Sequence, residues 1–154
     1  MHKLARYFVL FALIGIAVLP ATSQEYRGSH PGYLHALSDL RAARWLLSHQ
    51  PGDQRVYRDE DFAFHEIEAA IGEIKRASID DGKNLEDHPP LDVREHGSRL
   101  LRAIEFLNKA QSDIDREEEN PEARGLRRRA SEHIAAATNA AQHAHEAWLR
   151  EQGR

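Results

Sequence analysis

Apolar residues return every three or four positions through four stretches of this chain, with polar residues filling the rest of each turn. The pattern predicts four amphipathic helices. The first spans about Pro31 to His49. Tyr33, Leu37, Leu40 and Leu47 share a face with Ala36 and Ala43, Ser29 or His30 caps it, and Pro31 suits its first turn. Gln50-Pro51-Gly52-Asp53 ends it. The second spans about Asp59 to Asp81 on Ala63, Ile67, Ala70, Ile71, Ile74 and Ala77, and Gly82 is placed to stop it in the left-handed conformation. The third starts near Asp92 or Ser98 and reaches Glu119 on Leu100, Ile104, Leu107 and Ile114. Asn120 then caps, and Pro121 opens, a fourth helix that runs to about Arg150. Its inner face is Leu126, Ala130, Ile134, Ala137, Ala141, Ala144 and Trp148.

No stretch alternates with period two for long enough to make a strand. The expected fold is all-α, a four-helix bundle. The link between the last two helices is very short and makes them antiparallel, and the first link favours the same for the first two. Up-down-up-down order follows if the longer link, Gly82 to Leu91, stays at one end. Extended at ~3.3 Å per residue, that link also just spans the bundle.

The residues ahead of the helices read differently. Lys3 and Arg6 precede an uncharged run from Tyr7 to Leu19, then Pro20 and Ala21-Thr22-Ser23. These are the three parts of a secretory signal peptide. The run is short for a membrane span, which takes about 20 apolar residues. Residues 1–23 are therefore expected to be removed, leaving about 131 of the 154 residues as a single helical-bundle domain, periplasmic or secreted. No stable membrane insertion is expected after cleavage.

Removing that segment changes the charge. It holds two of the 21 Lys+Arg and none of the 25 Asp+Glu, so the remainder carries 19 against 25, or −6. A mildly acidic, mixed surface argues against nucleic-acid binding. The absence of cysteine excludes thiol chemistry, iron–sulfur clusters and cysteine zinc sites. The only methionine is Met1, inside the expected signal, which disfavours haem ligated by methionine.

Three stretches carry a family resemblance. "HPGYLHALSDLRAAR" (residues 30–44), "AAIGEIKRASIDDGKNLEDHPP" (69–90) and "ENPEARGLRRRA" (119–130) resemble a group of small exported bacterial proteins of uncharacterised function. The resemblance covers nearly the whole chain after the signal peptide. It implies export and an all-helical fold, and brings no reaction or ligand with it.

"IDDGKNLEDHPP" is the chemically dense part. Two acids at a helix C-terminus oppose the macrodipole by about 0.3–1 kcal/mol each and need an offset. One reading is a corner. Asp80 and Asp81 pair with the start of helix one, near His30, while Gly82 and the two prolines turn the chain, with Asp80, Lys83, Asn84 and Asp87 as the residues of a binding or structural corner. The other is a site. In up-down-up-down order His30, Asp81, His88, His96 and His145 gather at one end, and imidazole with carboxylate suits zinc or copper. If the long link crosses the bundle instead, His96 and His145 move to the other end and the cluster dissolves.

No HExxH motif, Gly-rich phosphate loop or recognisable Ser-His-Asp context occurs, so no catalytic residue is assigned. Arg44, at the edge of the first stripe, needs a partner or a route to water; Glu66 is the nearest acid by helical angle. Trp45, Leu46 and Phe106 lie off the main stripes and suggest a face for a partner helix. The sequence thus describes an exported, non-enzymatic binding or structural protein, with a zinc- or copper-binding protein as the alternative. It leaves protein partner and homo-oligomer open.

Overall fold

The computed structural model describes residues 30–48, 58–76, 81–117 and 125–153. The expected signal peptide, Asp80 and the Asn120-Pro121 cap lie outside the described residues. The helices are α1 (Pro31–Leu47), α2 (Arg58–Arg76), α3 (His96–Asp115) and α4 (Leu126–Gln152), and no strand occurs among the described residues. None of the described helices is long and apolar enough to cross a membrane. The fold is the all-α four-helix bundle that the periodicity predicts.

Local chemistry sets the helix boundaries. Pro31 opens α1, where its missing N–H removes nothing. Glu95 caps α3, its carboxylate accepting from the Gly97 and Ser98 amides at 2.9 and 2.5 Å. Gly125 holds φ 93, so a regular helix begins at Leu126 rather than running through from Pro121. Gly82 is left-handed as expected, at φ 68, but the second helix does not run to Asp81: α2 is described to Arg76, and Asp81 already lies outside a helix, drawn onto Arg41.

The expected stripes form the core. Leu37, Leu40, Ile67, Ile71, Ile74, Leu100, Leu107, Ile114 and Ile134 are fully buried. Each contributes about 1.5–3 kcal/mol relative to exposure. Ala130, Ala137, Ala141 and Ala144 are also fully buried on α4 and let the neighbouring helices approach closely.

The helix order is not the expected one. α1 packs on α2 and α3, and α4 packs on the same two. Gly32 at the start of α1 meets Asp113 and Glu117 at the end of α3. Farther along, Asp39 faces Lys109 at 3.7 Å, and Arg99 reaches the Leu46 carbonyl at 3.3 Å. α1 and α3 are therefore antiparallel. Glu66 with His133 and Glu73 with Arg129 make α2 and α4 antiparallel as well.

It follows that α2 and α3 run parallel, at opposite corners of the bundle, and the order is up-down-down-up. The connection between them crosses the bundle lengthwise, a bundle variant with one long crossover. Length permits it. The 19 residues of α2 rise ~28 Å, about half the extended reach of residues 77–95.

Candidate functional site

The crossover forms a strap over the junction of α1 and α2, and two arginines of α1 hold it. Arg41 is fully buried and grips Asp81 in bidentate fashion, Nη1 to Oδ2 at 2.7 Å and Nη2 to Oδ1 at 2.6 Å. Its Nε has no hydrogen-bond partner among the described residues. One turn on, Arg44 links three elements. Its Nε donates to Glu68 of α2 at 2.9 Å and its Nη1 to Glu86 of the strap at 2.7 Å, while the guanidinium lies 4.7 Å from the Phe64 ring centre.

Aromatic and backbone contacts complete the attachment. The His88 ring tilts against Trp45 with centroids 4.7 Å apart. Leu91 and Val93 pack on the core, and the Arg94 carbonyl accepts from Arg99 at 3.1 Å. Between Asp81 and His88 the chain turns outward. The Asp87 amide donates to the Asn84 carbonyl at 3.1 Å, and the Asn84 amide to Asp87 Oδ2 at 2.9 Å. Asn and Asp close such turns with their own side chains. Gly82 to Asp87 are all exposed, with Leu85 at the tip of the turn.

Electrostatics favours the charged state of the anchor. Burial pushes the Asp81 carboxyl up, but the Arg41 hydrogen bonds, the Lys83 amide and the Arg41 charge outweigh it and hold the carboxyl below its ordinary value. Such forked guanidinium–carboxylate pairs are strong and directional. The arrangement therefore fixes the strap's inner edge in one register while leaving its outer edge to solvent.

The five proposed metal ligands are not brought together. His30 lies at the start of α1, its Nδ1 3.0 Å from Glu117 Oε2. Glu117 also accepts from the Gly32 amide, so an acid from the end of α3, and not Asp81, meets the first turn of α1; Asp80 lies outside the described residues. Asp81 sits midway along α1, on Arg41. His88 donates from Nδ1 to the Pro89 carbonyl at 2.8 Å, which leaves Nε2 as its one possible ligand atom. His96 and His145 lie at the far end. His96 is 3.2 Å from Glu60 at the start of α2, and His145 stacks on Trp148 at 5.9 Å. The crossover separates the set. Among the described residues, no group of three or more His, Cys, Asp or Glu is arranged to hold a metal ion.

Other expectations change with the strap. Glu66 bonds His133, not Arg44, at 2.6 Å. Leu46 and Phe106 are buried and Trp45 is covered by His88, so these residues are not a free face. Arg41, the most buried charge among the described residues, was not singled out by sequence; the available signal was a basic residue beside Leu40 and Ala42 facing an acidic connection. Compared with protein-family models, curated proteins and solved structures, the chain matches none.

Proposed function

We propose that the protein is exported and acts without catalysis, as a binding or structural protein of the bacterial envelope, and that the outer edge of the strap is the surface it presents. One observation carries this reading. Residues 82–87 are exposed on an irregular loop whose root is fixed where Asp81 pairs with the buried Arg41. Loops fixed on a rigid scaffold are where binding residues concentrate. Lys83, Asn84, Leu85, Glu86 and Asp87 offer both charges, an amide and one apolar side chain within a single turn. The same words, "IDDGKNLEDHPP", carry the resemblance to exported bacterial proteins.

A photo-crosslinking side chain at Leu85, in cells making the full chain, tests this. A discrete adduct from the periplasmic fraction is expected. The control site is Asn139, exposed on α4, which packs on α2 and α3. Equal labelling from Leu85 and Asn139, or none from Leu85, refutes the strap surface. Intact mass of the purified protein tests export separately, since cleavage near Gln24 is expected.

A further inference from the structure

The main seam of this bundle lies between its two hairpins, α1–α2 and α3–α4, rather than inside either one. The larger contact surfaces are those of α1 on α3 and of α2 on α4. Polar contacts follow the same division. His30 and the Gly32 amide meet Glu117, and Asp39 faces Lys109 at 3.7 Å. Glu60 lies 3.2 Å from His96, Glu66 meets His133 at 2.6 Å, and Glu73 meets Arg129 at 3.0 Å. Each of these contacts needs an α3–α4 hairpin docked on an α1–α2 hairpin. None needs both hairpins to belong to one chain.

The strap divides at His88. Asp81, Glu86 and His88 meet Arg41, Arg44 and Trp45 of α1, so this part stays with its own first hairpin wherever the second one docks. These contacts advance along α1 in the direction of that helix, whereas α3 runs back against it. The chain therefore reverses between residues 89 and 95. The reversal is narrow. His88 lies on Trp45, and Arg99 donates both to the Arg94 carbonyl and to the carbonyl of Leu46, the next residue of α1. The sequence of this segment nevertheless favours extension. Pro89 and Pro90 are exposed, their rings fix φ, and proline pushes the residue before it toward extended backbone.

We propose that the chain pairs with a second copy of itself by exchanging α3–α4 hairpins, with residues 89–95 as the hinge. The hinge opens, and the second hairpin of each chain docks on the first hairpin of the other. Both seams repeat the contacts above, and only the packing of Leu91 and Val93 has to be remade. Exchange of an identical element is a low-cost route to a dimer for this reason. The closed monomer is favoured by the effective concentration of its tethered hairpin, on the order of millimolar for a short flexible linker. A stiff, extended Pro89-Pro90 segment resists the reversal and reduces that advantage. Each dimer carries two strap tips, because residues 82–87 stay on the α1 of their own chain.

Refolding the protein from urea at rising concentration, followed by gel filtration with light scattering, tests this. While dimer is the minor species, tenfold more monomer should give about tenfold more dimer per monomer. The chain has no cysteine, so D61C on α2 and N139C on α4 place spin labels uniquely. Both positions are exposed, and both lie toward the same end of the bundle from the Glu66–His133 contact. A doubly labelled monomer supplies the reference distance by pulsed electron spin measurement. Chains carrying D61C alone and N139C alone, refolded together, should show that same distance between chains in the dimer fraction. P89G/P90G, which lets the hinge bend, should lower the dimer share several-fold; an equal share overturns the hinge. Absence of dimer at about 1 mM chain, the scale of the effective concentration, overturns the proposal. So does a dimer that lacks the reference distance, since it is then built side by side.

Discussion

Replacing Asp81 with alanine removes both acceptors of a guanidinium that has no exposed surface. Arg41 is 0% exposed and Asp81 12%, and the bonds lost are 2.7 and 2.6 Å long. Stranding a buried charge this way costs ~3–5 kcal/mol. Asp81 is not wholly enclosed, so water can follow the deleted carboxylate, and the lower figure of about 3 kcal/mol applies. At ~3–4 °C per kcal/mol for a domain of this size, the melting temperature should fall by roughly 10 °C. Circular dichroism during thermal and urea unfolding at neutral pH measures this. The pH dependence supplies a second check. The folded-state pKa of Asp81 is lowered, so its contribution is present above the unfolded value of 3.8 and is lost as pH falls through the folded value. Parent and Asp81→Ala should therefore differ most at neutral pH and converge in strong acid. A loss under about 1 kcal/mol at pH 7, or a gap that stays constant into strong acid, would refute the reasoning.

Gly97→Ala should also destabilise. Its Cβ would lie 2.5–2.7 Å from three atoms of the Trp148 ring, and overpacking of about 1–3 kcal/mol exceeds the ~1 kcal/mol gained in helix propensity. A shift in Trp fluorescence should accompany the lower denaturation midpoint, and an unchanged midpoint would mean that Trp148 moves freely. Gly82→Ala meets nothing within 4 Å, so its cost is the backbone penalty of φ 68 alone, about 1 kcal/mol by urea titration. Zinc or copper should leave the melting temperature unchanged, because His30 and His96 stand at opposite ends; metal that bound the folded state would raise it. A rise abolished by His96→Ala would count against this placement.

The helices were legible in the sequence because burial on one face leaves a 3.6-residue period, and Leu37, Ile67, Leu107 and Ile134 all show it. The left-handed backbone of Gly82 was legible because glycine takes positive φ at no steric cost, although α2 is described only to Arg76 and Gly82 does not follow it directly. Helix order was not, since the stripes of α2 and α3 fit two arrangements and the observed one is marked by pairs far apart in the chain, such as Gly32 with Glu117 and Glu66 with His133. The sequence did hold a clue on α1. Trp45 and Leu46, off the main stripe, suggest a second covered face. Leu91, Val93, Asp81 and Glu86 in the following connection match it in polarity and charge. What looked like room for a partner helix is occupied by the chain's own strap and by α3. The metal cluster failed for the same reason, because its geometry depended entirely on the helix order.

The crossover also bears on how the chain reaches its native state. Helical bundles joined by short hairpins fold quickly because most contacts are local. Here α1 closes on α3 and α2 on α4, through pairs such as Gly32 with Glu117, 85 residues apart, and Glu66 with His133, 67 apart. Neither hairpin covers its own apolar face, so a fragment ending at residue 95 would leave Leu40, Ile67 and Ile74 open to water. These pairs join one hairpin to the other, so a chain lacking α4 loses the main partner of α2 and should lose the fold, not merely its last element.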